Sequence, residues 1–450
     1  MLLRLPRRSI GTRYFVLAIP TILFCLWILL PYDNSIRQAV RFNVDRLFRS
    51  FDQHSYESWV LAPPRFPVDL KDDVLIILKT GYGTRHRLGA WFEALSSRSE
   101  LGDIIIIGDY ASTSGQHIHY GGKTLEVHNV VNRTIQDLAL DGQVPYPRIT
   151  KYETLVEAIA RGDEDEAMKL SKSFGWELDS MKDISGLELA YERYPQKKWY
   201  ILLDDDTYLV QPSIKPLLGH LGSQSKFYLG NAVGDYRARF AHGGSSIILS
   251  QGAIYRLFAN PTSVSTALVE SLTTIWGDRL IARALIRVGV FLDEHYSRFF
   301  SGEPPRFSRI TADRICAPVA TFHGLSSPTN MLEVGKQFNQ TEKPFIWARL
   351  LDMFQVPSQW RHGQVSIRPD WDYVGRSDVA VVTVHGIFGA EACAQECEKR
   401  LNMCIAWTWE GSAGDCYLSP WALVGEGAKG KVSGISAQRA RRLEAECVEY

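Results

Sequence analysis

The sequence predicts an α/β protein: a layered domain of buried strands and helices, followed by a small disulfide-rich α+β module and preceded by an apolar N-terminal segment. Three observations predict it. Short β-rich apolar runs alternate with helical patterns through the middle of the chain. Of the 7 cysteines, all but Cys25 fall between Cys316 and Cys447. Residues 14–32 contain no charged side chain. With 450 residues, 45% hydrophobic and 22% charged, the chain has the profile of a folded protein of two or three domains. Its 50 basic and 50 acidic residues cancel, which leaves no electrostatic case for nucleic acid as a partner.

The segment MLLRLPRRSIGTR carries Arg4, Arg7, Arg8 and Arg13 and no acid, and leads into the uncharged run. Such a run is at the short end of the ~17–25 residues that cross a bilayer. Basic residues ahead of it predict a cytosolic N-terminus and a body on the far side. No small-x-small cleavage site follows Leu30, and Pro31-Tyr32-Asp33 suits cleavage poorly, so an uncleaved type II anchor is favoured over a signal peptide. The expected order is a cytosolic tail (1–13), an anchor (14–32) and a stem (33–70) closing with Pro63, Pro64 and Pro67. The sequons at Asn132 and Asn339 fit a lumenal body in the secretory pathway, with the Golgi membrane as the expected location.

The strands come next. DDVLIILKTG (72–81) is a β-rich run ended by glycine, RLGAWFEALSSR follows as a helix, and DIIIIGDY (103–110) is a second buried strand. Residues 151–198 read as helices with a solvated acidic face, RGDEDEAMK. KKWYILLDDD, KFYLGNAV and FAHGGSSIILS are further strands. ALVESLTTIWGDRLIARALIRVGV reads as helical, with Gly289 as its stop. From about 358 the character changes: Cys393, Cys397, Cys404 and Cys416 crowd together around Trp407 and Trp409. That density indicates a disulfide-stapled module, with zinc the rival reading, and four cysteines allow three connectivities. Cys316 and Cys447 could bridge the module to the preceding domain.

The strand WYILL runs straight into Asp204, Asp205 and Asp206. Ligands of open α/β sheets bind outside the carboxyl ends of the strands. If the backbone stays extended, Asp204 and Asp206 point one way and Asp205 the other, and two carboxylates sharing a direction make a hard-oxygen site for a divalent cation. The bland alternative is an acidic surface turn.

KTGYGTRHRL, PQKKWYILLDDDTYLVQPSI, FAHGGSSIILSQGA, WGDRLIARALIRVGV and TFHGLSSP occur in the order and spacing of glycosyltransferase family 31. Over residues 71–345 the chain resembles the Fringe and core 1 β1,3-galactosyltransferase branch of that family. The resemblance implies a GT-A fold, a type II Golgi protein, and Mn²⁺-dependent, inverting transfer of a hexose from a UDP-sugar to a glycan or glycoprotein, in β1,3 linkage. Galactose is the first expectation for the hexose and N-acetylglucosamine the second. It places Asp206, with His323 and Asp204, at the metal, an N,O donor set that suits Mn²⁺ better than Mg²⁺. It places Asp204, Asp205, Thr80, Arg85, Asp109, Gly243 and Gly244 at the donor, the glycines allowing close backbone approach. Asp278 becomes the general base that deprotonates the acceptor hydroxyl; as a plain residue before a helical run it also reads as a helix cap. Two positions depart from the family: His242 stands where relatives have a small residue, and Gly324 where a second histidine is common. Residues 358–450 resemble a PAN/apple module, which implies the pairs Cys393–Cys416 and Cys397–Cys404. The alternative to an enzyme is a catalytically silent, membrane-anchored protein that binds glycan or protein through this module. A two-metal phosphohydrolase lacks its second acidic cluster.

Overall fold

The structure, a computed structural model, describes residues 27–51, 62–95, 99–113, 117–138, 146–237, 239–354, 366–375, 378–400, 402–445 and 447. Most of the expected anchor, and the junction expected between 345 and 358 from residue 355 onward, lie outside these residues. Among the described residues no helix is long and apolar enough to cross a membrane.

A mixed sheet organises the first two-thirds of the chain. Its leading strands are β1 (Val74–Lys79), β2 (Asp103–Gly108), β3 (Val127–Asn129) and β4 (Trp199–Asp204). β5 (Tyr208–Leu209) lies apart, and β6 (Tyr228–Gly230) and β7 (Ile247–Ser250) complete the sheet in the order β3-β2-β1-β4-β7-β6. β3, β2, β1 and β4 run parallel, while β7 is antiparallel to both neighbours. The four parallel strands are compatible with a GT-A fold. Near-continuous apolar runs such as VLIIL form strands covered on both faces. Val74, Ile76 and Leu78 enter one core with Trp199, Ile201 and Leu203. Leu75 and Ile77 enter the other with Tyr200 and Leu202. Each such side chain contributes about 1.5–3 kcal/mol on burial, which holds the polar strand ends in place.

Helices α1 (Arg87–Ala94), α2 (Pro147–Ala160), α3 (Glu164–Phe174) and α4 (Asp179–Arg193) precede β4. The long helix expected after residue 266 is two: α5 (Pro261–Ser271) and α6 (Gly277–Arg287). The break has a cause that is distant in sequence. The buried Arg148 guanidinium of α2 takes the carbonyls of Ser271 and Thr274 out of the helical ladder. Gly277 then passes so close to α4 that a β-carbon there would lie 1.9 Å from Asp183 Oδ2. Gly289, at φ +75°, stands two residues beyond α6.

β8 (Ile310–Thr311), β9 (Thr321–Phe322) and α7 (Pro328–Phe338) lead to the C-terminal module. There β10 (Ser366–Asp372), β11 (Val382–Val384), α8 (Ala390–Glu398), β12 (Ala406–Glu410), β13 (Asp415–Ser419), β14 (Trp421–Ala422) and β15 (Glu426–Ile435) follow. The sheet order is β10-β15-β12-β13-β11. Cys393 and Cys397 lie on α8, bonded to Cys416 and Cys404 respectively. The module is fused to the body. β8 pairs with β14, Cys316 is bonded to Cys447, and Arg309 lies over the Trp421 ring at 3.9 Å. Tyr373, Val374, Ala422 and Val424 belong to the same continuous core as Val74 and Ile76. A loop of 131 residues closed by one disulfide is worth about 4–5 kcal/mol in the chain-entropy account. Removal of everything after residue 357 therefore opens the body's core as well as deleting an appendage.

Inside the module, Asp372 Oδ1 accepts from the Val374 and Gly375 amides and the Thr408 hydroxyl, and Oδ2 from Lys431 at 2.8 Å. Burial pushes this carboxyl up, but Lys431, the amides and Thr408 outweigh it and hold it below the ordinary carboxylate value. A depressed carboxyl stabilises the fold above its unfolded pKa and loses that contribution as pH falls through the folded one. Asp372→Ala should cost about 2–4 kcal/mol at pH 7. In denaturant melts the gap to the unsubstituted protein should narrow below about pH 4; a gap constant down to pH 3 would refute the ionic contribution.

Candidate active site

β4 delivers the acidic triplet. The chain remains in the strand only to Asp204; Asp205 and Asp206 are in a turn closed by Thr207 N–H donating to Asp204 O at 3.0 Å. The extended geometry expected from the sequence is thus replaced by a turn, which still separates the three carboxylates. Asp205 is buried and accepts from the hydroxyls of Thr80 at 2.7 Å and Thr84 at 2.6 Å. Burial pushes its carboxyl up to about 6. Asp204 and Asp206 meet His323 in a group whose ligand atoms lie within 4.8 Å of one another.

His323 arrives from more than a hundred residues away because β9 pairs with β5, and Leu325 N–H then donates to Asp206 O at 3.0 Å. Its Nε2 is 3.2 Å from Asp206 Oδ1, and its Nδ1 is 3.2 Å from Gly302 O. The Gly302 carbonyl favours N–H at Nδ1, which leaves Nε2 as the ligand nitrogen, the usual arrangement behind a metal-binding imidazole. Burial alone would lower the ring's pKa; Asp206 and Asp204 outweigh it and raise it to about 9. Two carboxylates and an oriented imidazole fit Mn²⁺.

The glycine pair has a purpose within the protein itself. A β-carbon on Gly244 would lie 2.4 Å from His323 Nε2, so glycine there makes room for the imidazole. Gly243 N–H donates to Asp278 Oδ2 at 2.9 Å. Thr207 and Thr321 hydroxyls hold the carbonyls of Gly244 and Ser245, each at 2.6 Å. One turn therefore fixes both the metal-type cluster and Asp278. Asp278 lies in the first turn of α6 behind Trp276, the cap residue, and its Oδ1 accepts from the Arg279 amide at 2.8 Å. The two departures also have places. His242 Nδ1 lies 2.8 Å from Ser245 Oγ, and Gly324 has φ +78°, a conformation that favours glycine over histidine.

Other expected donor residues are engaged by the protein. Asp109 is buried, with Oδ1 accepting from Tyr82 N–H and Oδ2 2.9 Å from Lys182 Nζ. Arg85 pairs with Glu164 and lies over the Tyr82 ring at 3.8 Å; its neighbour Thr84 lines the cleft and Arg85 does not. That cleft, of about 330 Å³, is lined by Lys79, Thr80, Arg87, Trp176, the acidic triplet and His323 among others. Lys79 and Arg87 were not singled out in the sequence. Lys79 Nζ lies 3.1 Å from Asp204, and Arg87 Nη1 lies 3.1 Å from Asp205 and 3.2 Å from Asp206. The signal for Lys79 was its place at a strand end beside β4; nothing local marked Arg87. Asn132 is exposed, whereas Asn339 donates its amide to Ala94 O at 3.0 Å and accepts from Tyr208.

Two expectations follow. Gly244→Ala should weaken Mn²⁺ binding about as much as His323→Ala while leaving the melting curve in place, since the methyl displaces only the imidazole. Normal Mn²⁺ affinity in Gly244→Ala would mean that His323 is not a ligand. Under glycosidase treatment, Asn132→Gln should abolish most of the mobility shift and Asn339→Gln little of it. The reverse pattern would contradict the packing of Asn339.

Residues 162–352 match the family model described as Fringe-like. Over 151 residues the chain is 26% identical to a chondroitin sulfate glucuronyltransferase of Homo sapiens, a match that takes in 32% of this chain and 19% of that protein. Asp204, Asp206, Asp278 and His323 all fall within the Fringe-like segment, and the two matches together support a glycosyltransferase of the family 31 type.

Proposed function

We propose that this protein is an inverting, Mn²⁺-dependent glycosyltransferase that moves a hexose from a UDP-sugar to a hydroxyl of a glycan or glycoprotein, in β1,3 linkage. Galactose is the first choice and N-acetylglucosamine the second. One observation carries the reading: the Gly243–Gly244 turn joins the Asp204, Asp206 and His323 cluster to the Asp278 carboxylate. Inversion needs a base on the acceptor side of the reacting carbon and charge neutralisation on the leaving-group side. Asp204, Asp206 and His323 would hold the Mn²⁺, which neutralises the departing diphosphate when bound. Asp278, oriented by the Gly243 and Arg279 amides, takes the acceptor proton. The N-terminal basic and apolar pattern supports a type II Golgi membrane protein, and the C-terminal module supports a PAN/apple-like appendage.

The reading is tested by a UDP-sugar hydrolysis panel on the full chain with and without Mn²⁺, including UDP-glucuronate because of the human relative's activity. Mn²⁺-dependent hydrolysis of one donor is expected; none with any donor would favour a silent binding protein. Asp278→Asn should lower transfer about 10²–10⁴-fold with UDP affinity unchanged. Asparagine keeps one oxygen for the Arg279 amide and sets an NH2 against the Gly243 N–H, so near-normal transfer would show that neither that bond nor a base at position 278 is needed.

A further inference from the structure

The acidic triplet is neutralised by the protein itself. Asp204 is faced by Lys79, Asp205 and Asp206 by Arg87, and Asp206 also by His323. The cations belong to β1 and α1, whose residues lie outside the Fringe-like segment. Lys79 also faces a second carboxylate. Asp183 Oδ1 lies 3.4 Å from its Nζ, and both Asp183 oxygens are buried with no hydrogen bond among the described residues. Arg87 uses a single nitrogen, Nη1, for both its carboxylate contacts, and its buried Nε has no hydrogen-bond partner among the described residues. A guanidinium carries five donors in a planar fork that matches phosphate oxygens. Both side chains line the same cleft as the triplet.

A divalent cation entering between Asp204 and Asp206 meets carboxylates already committed, and it leaves two protein cations beside a doubly charged ion. Both features oppose binding of the metal alone. A nucleoside diphosphate arriving with the metal removes the conflict, because its phosphate oxygens accept the donors that the carboxylates release. We infer that Lys79 and Arg87 are resident counter-ions of the triplet that pass to the diphosphate when the metal enters, so that divalent cation and nucleoside diphosphate bind as a unit. This rests on the glycosyltransferase reading for the identity of the diphosphate. Coupling between two ligands is reciprocal, so each should raise the other's affinity by one common factor.

The test is equilibrium binding of Mn²⁺ to the full chain, followed by the electron paramagnetic resonance of free Mn²⁺, with and without saturating UDP, the Mn²⁺ taken up by UDP alone being measured without protein and subtracted. UDP should tighten Mn²⁺ binding about 10–100-fold. Arg87→Gln and Lys79→Gln should each bind Mn²⁺ alone more tightly than the unsubstituted protein, and UDP should then tighten it severalfold less. A merely structural role would instead lower Mn²⁺ affinity in both conditions. Arg87 is partly exposed and its Gln variant should fold; should Lys79→Gln fail to, Arg87→Gln carries the test, with Arg87→Lys expected to fall between. Equal Mn²⁺ affinity with and without UDP would overturn the inference while leaving the transferase reading standing. So would an Arg87→Gln protein whose UDP enhancement is unchanged. If neither Mn²⁺ nor UDP bound in any combination, the reading and the inference would fall together.

Discussion

Asp204, Asp205 and Asp206 follow one another at the buried end of β4, and like charges at that spacing repel unless cations are brought to them. Much of the cleft can be understood as the means of bringing them. β1 lies beside β4 in a register that places Lys79 opposite Asp204. α1 begins with Arg87 and is held by Trp91, whose indole N–H donates to Thr207 O at 2.8 Å. The β5–β9 pair carries His323 in from the far side. Burial raises the Asp204 carboxyl, yet Lys79 and His323 reverse that and hold it below its ordinary value. Asp183, which has Lys79 at 3.4 Å and no hydrogen bond among the described residues, is pushed by burial up to about 7. The two acids share Lys79; Asp204 differs in having the Lys79 hydrogen bond and His323 beside it.

Glycine supplies the second constraint. At two points the polypeptide comes closer than a side chain would permit: Gly244 against the His323 ring and Gly277 against Asp183. At Gly243 a β-carbon would be tight, 3.2 Å from Asp278 Cβ. Each contact joins two segments distant in sequence, so these residues set distances through the space they leave empty. Ser246, which follows the pair, has φ +81°, a costly value for a residue with a β-carbon. Strain of this kind persists where surrounding contacts hold it, and here the Gly244 and Ser245 carbonyls are pinned by Thr207 and Thr321.

Much of this was legible in the sequence, and the remainder was not for identifiable reasons. Uninterrupted apolar runs marked the strands, and the triplet after WYILL marked the head of the site. The triplet's turn was missed because alternation was assumed past the last strand residue. His323 was reached through the resemblance alone, since a lone histidine carries no local signal. The counter-ions were missed because a lysine at a strand end and an arginine at a helix start look like ordinary surface. The break between α5 and α6 depends on Arg148, far away in sequence, capturing two carbonyls. The resemblance placed Asp109 and Arg85 at the donor; Asp109 lines the cleft beside Lys182 and Arg85 is held by Glu164, partners that no spacing reveals.

The shared core of body and C-terminal module has a mechanical consequence. A module on a flexible tether would raise the local concentration of whatever it held, with the reach of the linker setting the range. Here β8 and β14 pair, Cys316 and Cys447 are joined, and Tyr373 and Val424 pack into the interior that also contains β1. A partner seated on the outer strands is thus kept at a set distance and angle from the cleft. Body and module therefore move as one piece, and the distance from the module's outer strands to the cleft is built into the fold instead of being set by a linker.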